Sequence, residues 1–255
     1  IMWTREQLKR NGKFAFQRNY WPCVGVAFIM TVVSAVFSVG SSWGNRRYSI
    51  SATNYYNSGH HLFSHSYTRY FPRIGAAMGI VILLVALLVA LLRIFIGNLL
   101  EVGGKRFFIL NKNGAPDVAT IFDGFKSGHY GNIVLTIFLR DLFISLWTLL
   151  LVIPGIVKIY EYLMVPYILA ENPAMDRKSA FAISKRMMDG EKLKAFELTL
   201  SFLGWYFLSL ITCGIVGIFY VNPYAEATMA ELYAYNKAKA FQEGYIRSHQ
   251  RACLE

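Results

Sequence analysis

Two adjacent charged residues, Arg140 and Asp141, lie inside the third apolar segment of this chain, where a membrane would make them costly. Ionised side chains within a bilayer usually face a cavity or pair with one another. Glu101, Asn222 and Glu226 give two other apolar segments similarly polar ends. We predict that these five residues form a polar centre in which Arg140 meets Glu101 or Glu226. In the alternative interpretation, Arg140 snorkels to the membrane interface and Asp141 bonds locally.

Three histidines, His60, His61 and His65, lie in a long loop that is rich in tyrosine. Imidazoles at this spacing could bind zinc, but no cysteine or nearby carboxylate joins them. The favoured interpretation is an aromatic-rich cap at the membrane interface. A metal-dependent enzyme on the outer face is a third hypothesis, and elemental analysis of the pure protein would test it.

The remaining charges in apolar segments have structural explanations. Arg93 stands one turn from the end of its segment and is expected to snorkel. Lys158 and Glu161 are three residues apart on one helical face, so they are expected to form an ion pair near the outer interface.

The sequence lacks several common enzyme motifs. It contains no Walker lysine motif, no HExxH helix and no CxxC pair. Intramembrane proteolysis by paired aspartates needs two deep aspartates, and only Asp141 qualifies. We therefore expect a non-enzymatic protein without a cofactor.

The apolar segments themselves are long enough to cross a bilayer. Residues 74–92 form an uninterrupted apolar run, and about 20 helical residues span the hydrocarbon core. Charged residues make up only 16% of the chain, against about 25% in soluble domains. The predicted spans are residues 21–40, 74–97, 133–153, 155–170, 195–212 and 214–234.

The distribution of basic residues predicts the orientation of these spans. Nineteen of the 26 Lys and Arg residues lie at the termini and in alternate connections. This positive-inside pattern places both termini in the cytoplasm of a multi-pass plasma-membrane protein. The same pattern explains the net charge of +11. We therefore expect the lipid bilayer as the partner of the basic residues, and no nucleic acid. No cleavable signal peptide is evident, so the first apolar run is expected to be a retained anchor.

Two short breaks would fold the later segments into hairpins whose reversals face outward. Pro154-Gly155 divides the third segment from the fourth, because proline removes a backbone donor, and residues 212–214 divide the fifth from the sixth. The fourth segment is short, so a tilted or partly interfacial helix is an alternative. The expected fold class is an all-α membrane protein with six transmembrane helices as three hairpins. Its parts are the N-terminal cytoplasmic helix (1–20), the first hairpin (21–97) with its outer loop (41–73), a cytoplasmic connection (98–132), the second hairpin (133–170), a cytoplasmic amphipathic helix (171–194), the third hairpin (195–238) and the cytoplasmic tail (239–255).

A parallel internal repeat accompanies the hairpins. A shift of 59 positions superimposes glycines, an aspartate and a lysine in one register, and an even number of crossings gives the copies one orientation. The matched residues include Asp117 with Asp176, Lys126 with Lys185, Gly131 with Gly190, and Gly155-Ile156-Val157 with Gly214-Ile215-Val216.

Each repeat begins with an amphipathic helix. In the second, Phe181 and Ile183 fall on the apolar face, while Lys185 and Arg186 fall on the basic face. Such a helix can lie in the plane of the lipid headgroups, or it can pack beneath the bundle as a floor. The N-terminal stretch through Trp21 is interpreted as a degenerate third copy.

Several strings make the chain resemble a family of bacterial integral membrane proteins called domain of unknown function 975. They are MWTREQLK, FQRNYW, GNLLEVGGKRFF, LWTLLLVIPGIVK, MVPYILAENPAM, SKRMMDGEK, LSFLGWYFLSLITCGI and VNPYAEATMAELY. The resemblance covers nearly the whole chain except residues 41–73. It implies a six-helix plasma-membrane protein of Gram-positive type, and it supplies no activity and no catalytic residue.

Two functional hypotheses follow from the sequence. The leading one is a protein that binds or moves a lipid-like or peptide substrate through a cavity among the hairpins. The alternative is a membrane scaffold or accessory subunit that docks a partner membrane protein through its basic cytoplasmic helices. A substrate protein predicts a continuous polar cavity reaching Arg140, whereas a scaffold predicts a sealed core and an exposed apolar groove.

Overall fold

The computed structural model describes residues 3–42, 67–242 and 244, and this part of the chain is helical without a strand. Two π-helical segments, Arg93–Gly97 and Gly217–Val221, directly precede the fourth and the last α-helix. A 3-10 helix, Val118–Phe122, precedes the fifth. The α-helices are α1 Arg5–Arg18, α2 Tyr20–Ser42, α3 Tyr67–Leu92, α4 Asn98–Asn111, α5 Asp123–Lys126, α6 Tyr130–Leu150, α7 Val152–Glu161, α8 Val165–Glu171, α9 Arg177–Met187, α10 Lys192–Leu200, α11 Leu203–Ile211 and α12 Asn222–Gln242.

Polar side chains set where α1 and α9 begin. The Thr4 hydroxyl accepts a hydrogen bond from the Gln7 backbone N–H at 3.2 Å, which caps α1 at the spacing that the sequence shows. The Asp176 carboxylate accepts from the Ser179 N–H at 3.3 Å and caps α9. Each cap satisfies a backbone donor that the first helical turn leaves unpaired.

Three of the described helices are long and apolar enough to cross a membrane, which supports a membrane protein. They are Met78–Asn111, Tyr130–Leu150 and Val152–Glu171, and Tyr20–Ser34 is a shorter apolar helix. Six separate spans stay a prediction. The helix that contains the second predicted span continues beyond Gly97, because α3 passes through the π-helical segment into α4.

Two of the predicted spans are interrupted. A turn at residues 162–164 separates α7 from α8, and Ser201-Phe202 separate α10 from α11. Neither span is therefore one regular helix.

The predicted reversal at Pro154-Gly155 is wrong by three residues. The chain turns at Leu151, whose φ of −154° and ψ of 133° are extended, and α7 begins at the next residue. Pro154 lies in the first turn of α7, where a missing N–H leaves no helical hydrogen bond unmade. Gly155 instead allows α7 to approach α6, because a Cβ at this position would collide with Thr148.

The packed core occupies one end of the molecule, where α1, α4, α8, α9 and α12 meet. Gly12 of α1 lies directly on α12, and an added Cβ would stand only 2.8 Å from Thr228 Cα. At the other end, the aliphatic side chains of α3, α7, α11 and the second half of α6 are exposed. A surface of this kind is stable in contact with lipid rather than water.

Candidate functional site

The predicted polar centre forms where the packed core meets the exposed apolar ends. Arg140 of α6 donates to both carboxylate oxygens of Glu101 on α4, at 2.7 Å and 3.1 Å. It also donates twice to Asp141, at 2.9 Å and 2.7 Å. Because two parallel N–H···O bonds fix geometry as well as charge, Arg140 joins α6 firmly to α4.

A second ion pair stands one turn further along α4. Lys105 donates to Glu226 of α12 at 2.6 Å, and its ammonium lies 5.1 Å from the centre of the Tyr167 ring on α8. Lys105 is therefore held by two helices from later in the chain. Sequence reasoning paired Glu226 with Arg140 as one alternative and overlooked Lys105, although Glu101 and Lys105 have the i,i+4 spacing that places both on one helical face.

A cavity of about 400 Å³ adjoins these pairs. Glu101, Asn222 and Glu226 line it, so three of the five predicted residues share one cavity, whereas Arg140 reaches it through Glu101. Asn222 donates to the Thr31 hydroxyl of α2 at 3.0 Å, which closes one wall. The complete lining is Ala27, Met30, Thr31, Ser34, Glu101, Lys105, Tyr206, Asn222, Ala225 and Glu226.

Asp141 lies on a different concave surface. It lines a groove of about 830 Å³ between α3 and α6, together with Arg93, Asn98 and several aliphatic residues. The closest Arg93–Asp141 approach is 4.0 Å, so the charge that was expected to snorkel is paired in the structure. Arg140 thus bonds one carboxylate that lines the cavity, Glu101, and one that lines the groove, Asp141.

Within the cavity cluster, the acidic partners are more accessible than the basic ones. The side chains of Glu101 and Glu226 are 29% and 25% exposed, whereas those of Arg140 and Lys105 are 12% and 13% exposed. The cations therefore lie behind the carboxylates. This arrangement suits recognition of a hydrogen-bond donor or a cation, since a carboxylate has free acceptor positions after one ion pair.

Two tyrosine hydroxyls hold the π-helical segments beside this site. Pro223 cannot donate to the carbonyl of Phe219 four residues earlier, and the Tyr20 hydroxyl donates to that carbonyl at 3.1 Å. The Tyr130 hydroxyl donates to the Phe95 carbonyl of the other π-helical segment at 2.7 Å. The predicted release of a carbonyl near Asn222-Pro223 is therefore met by a specific partner. π-Helical insertions of this kind occur frequently at functional sites.

The Lys158–Glu161 ion pair forms as expected, at 3.0 Å, and its position near the outer interface stays a prediction. Glu161 also contacts Lys192 at 3.4 Å and Lys185 at 3.7 Å, and both lysines belong to the basic connection predicted to be cytoplasmic. The Ser184 hydroxyl donates to the Glu161 carbonyl at 2.8 Å. The end of α7 therefore lies against α9 and α10.

The amphipathic helix α9 packs as a floor. Ile183 is buried, and the half-buried Phe181 ring lies 5.1 Å from Tyr162 and 6.0 Å from Phe143. Lys185 and Arg186 are exposed, as their face predicts. The sequence left open whether the apolar face of α9 contacts lipid headgroups or protein, and in the structure it contacts protein.

The candidate histidines His60, His61 and His65 lie outside the described residues. Among residues 3–42 and 67–242, no group of three or more His, Cys, Asp and Glu side chains is arranged to hold a metal ion. The two described cysteines are free, with Cys23 buried and Cys213 exposed.

Residues 148–239 match the model of a family described as a protein of unknown function, DUF975. The resemblance expected from the sequence is confirmed over this stretch. It includes α7 to α11 and the cavity residues Tyr206, Asn222 and Glu226, but not Glu101, Lys105 or Arg140. No curated protein and no solved structure matches the chain.

Proposed function

We propose that this protein binds an amphiphilic ligand that carries an amine, either a lipid or a peptide, in the cavity between α2, α4, α11 and α12. The observation that carries the proposal is the pair of accessible carboxylates, Glu101 and Glu226, in front of the less exposed Lys105 and Arg140. A ligand ammonium can bond to the acceptor positions that the ion pairs leave free on these carboxylates. The proposed role is binding or movement of this ligand, not catalysis.

The lining of the cavity supports an amphiphile over a small polar molecule. Met30 and two alanines form the apolar part of the wall, while Tyr206 and Asn222 supply additional hydrogen-bonding groups. The exposed aliphatic ends of α3 and α11 lie next to the cavity helices. A hydrocarbon chain attached to the bound amine could therefore continue along a surface that already favours lipid.

We further propose that the helices form three pairs with a parallel repeat and that both termini are cytoplasmic. Gly128 and Gly190 both have a φ of +71° and stand two residues before α6 and α10, which supports equivalent starting points for two pairs. Their separation of 62 residues differs from the 59 that aligns Gly155 with Gly214. The distance along the chain from the first glycine to the second is therefore three residues shorter in the second copy than in the first.

The tyrosine bonds support a cyclic arrangement of the three pairs. Tyr130, at the start of the second pair, holds a carbonyl in the first pair, and Tyr20, at the start of the first, holds one in the third. Tyr160 at the end of the second pair packs against Phe196 at the start of the third, with ring centres 5.9 Å apart. Each pair thus contacts the next through an aromatic residue.

A binding experiment tests the ligand proposal. The purified protein would be placed in nanodiscs of phosphatidylcholine and titrated with acyl-labelled phosphatidylethanolamine, which has a primary ammonium, or with labelled phosphatidylglycerol, which has none. Saturable binding of the first lipid is expected, together with roughly tenfold weaker binding in Glu226→Gln, because a hydrogen bond to a charged group contributes about 1.5–3 kcal/mol.

The control variant is Asp123→Asn, which changes a carboxylate of similar exposure outside the cavity. It should bind phosphatidylethanolamine as the unmodified protein does. Equal binding of both lipids, or an equal loss in both variants, would contradict the proposal. The same titration with a decapeptide bearing a free or an acetylated N-terminus separates a peptide ligand from a lipid.

A second function, docking of a partner protein, is supported by the exposed basic face of α9. Arg177, Lys178, Lys185 and Arg186 are all exposed there, although Lys185 also contacts Glu161. Such a face fits an acidic partner surface. Replacement of Arg177 and Lys178 by glutamine should abolish cross-linking to an acidic membrane partner if this second function is correct, and should leave lipid binding unchanged.

A further inference from the structure

The turn between α6 and α7 carries none of the polar residues that a water-exposed loop normally has. Residues 149–153 are Leu, Leu, Leu, Val and Ile, and all five side chains are exposed, with Leu149 at 85%. The turn between α11 and the following π-helical segment has similar exposed neighbours in Leu210, Ile211 and Ile215. Apolar tips of this kind are more stable in hydrocarbon than at an aqueous surface.

The charges behind the first tip limit how far it can reach. From Val152 to Glu161 the helix rises about 14 Å at 1.5 Å per residue. Glu161 is bound there by Lys158, Lys185 and Lys192, and the Lys185 side chain is 64% exposed. If the tip reached the outer surface of a hydrocarbon core about 30 Å thick, these three lysines would lie near its middle.

The second tip has a similar length. The ammonium of Lys9 on α1 donates to the Ser201 carbonyl at 3.2 Å and lies 4.4 Å from the centre of the Phe202 ring. Burial, with a smaller contribution from Arg5, lowers the pKa of Lys9. From Phe202 to Cys213 there are eleven residues, or about 16 Å if they are helical. Independent basic residues therefore mark a similar depth behind each tip: three lysines behind the first and Lys9 behind the second.

The helix α3 provides the contrast. Arg93 ends a charge-free run that extends back to Ile74, and 19 helical residues rise about 28 Å. Arg93 approaches Asp141 to 4.0 Å, so the charged ends of α3 and of the α6 tip lie at one level. Measured from that level, α3 is long enough to cross the core and the two tips reach only its middle.

We propose that the α6–α7 tip (residues 142–157) and the α11 tip (residues 203–216) enter the bilayer from the cytoplasmic side and end within the hydrocarbon, with the acyl chains of the cytoplasmic leaflet as their binding partner. In this arrangement α2 and α3 alone cross the membrane. The outward reversals expected from the sequence are replaced by re-entrant ones. The Arg140–Glu101 bridge and the cavity then lie at the level of the cytoplasmic headgroups.

Thiol labelling tests this depth directly, since Cys213 already lies in the α11 tip. A protein with Cys23→Ala and Cys253→Ala retains Cys213 alone. Leu151→Cys in a variant that also carries Cys213→Ala reports on the other tip, and Ser58→Cys in that background reports on the outer loop. A membrane-impermeant maleimide is applied to intact cells, then to inverted vesicles.

We expect the outer-loop cysteine to react in cells, and both tip cysteines to resist the reagent from either side until detergent is added. Lys126→Cys serves as the cytoplasmic control and should react only in inverted vesicles. Reaction of Cys213 or of Leu151→Cys in intact cells would overturn the proposal, because it would place that tip outside.

A second measurement covers the case in which packing alone protects the thiols. A nitroxide attached at Cys213 in phosphatidylcholine vesicles should show the high oxygen and low nickel-chelate accessibility of the bilayer centre. A value typical of the headgroup region would contradict the inference. Neither outcome depends on whether the cavity binds an amine.

Discussion

Replacement of Arg140 by methionine is the most informative perturbation of the polar centre. The change removes four hydrogen bonds to Glu101 and Asp141 and leaves Glu101 without its bidentate partner. Removing one member of a buried ion pair costs about 3–5 kcal/mol, and partial exposure of Glu101 reduces this to about 2 kcal/mol. For a chain of this size, that loss lowers the Tm by roughly 4–8 °C.

The assay is thermal unfolding of purified protein in nanodiscs, followed by the exposure of buried Cys23 to a fluorogenic thiol reagent. The Cys213→Ala, Cys253→Ala background makes Cys23 the only thiol. Adding Glu101→Gln to Arg140→Met should restore at least about 1 kcal/mol, because it removes the unpaired charge. Lys185→Met is the matched control, since that exposed pair contributes at most about 1 kcal/mol.

Two results would refute this reasoning. Strictly additive losses in the double variant would mean that Arg140 and Glu101 do not interact energetically. An equal loss in the Lys185→Met control would mean that the assay reports removal of any basic residue rather than the coupling at the polar centre.

Three further predictions concern packing, backbone and membrane depth. Gly12→Ala should destabilise the protein by about 1–3 kcal/mol, because the new Cβ would collide with the backbone of Thr228; thermal unfolding measures this. Tyr20→Phe should cost about 0.5–1.5 kcal/mol, since the Phe219 carbonyl loses its donor, and the same assay applies. Leu150→Lys should reduce membrane insertion by about 2.5–3.5 kcal/mol if the α6–α7 tip lies at the bilayer centre, as measured by the fraction of newly made protein that resists alkaline extraction.

Each of these predictions has a control within the chain. Gly79→Ala should leave stability unchanged or raise it, because no atom lies within 4 Å of the added Cβ. Pro223→Ala supplies a backbone donor near the Phe219 carbonyl, so it should diminish the effect of Tyr20→Phe. Leu150→Met should insert normally, and normal insertion of Leu150→Lys would place the tip at a polar surface.

The polar centre could be predicted from the sequence, because ionisable residues within apolar segments must pair with one another or face a cavity. Glu101 and Arg140 are 39 residues apart, yet the cost of isolated charges predicts that they meet. The role of Lys105 in the polar centre was not predicted, because Lys105 belongs to a basic stretch that is equally typical of a cytoplasmic connection. Its partner Glu226 is 121 residues away, and only the packing of α4 against α12 brings the two together.

The length of the apolar segments predicted an all-helical fold, but it did not predict where the helices are interrupted. Nothing in the composition of residues 93–97 distinguishes a π-helical segment from an α-helix, because the extra residue is stabilised by the Tyr130 hydroxyl from elsewhere in the chain. The turn at Leu151 was misplaced for a related reason. Proline is found in the first turn of a helix as readily as after its end, and the close approach of Gly155 to Thr148 decides between the two positions.

The uninterrupted run from Tyr67 through the first π-helical segment to Asn111 is one helix of 45 residues, or about 65 Å. A rod of that length works as a lever. A tilt applied at its Tyr67 end would displace Glu101 and Lys105 near the other end, with the carbonyl held by Tyr130 as the pivot. We expect a load at the Tyr67 end to change the shape of the cavity through the rigid helix alone.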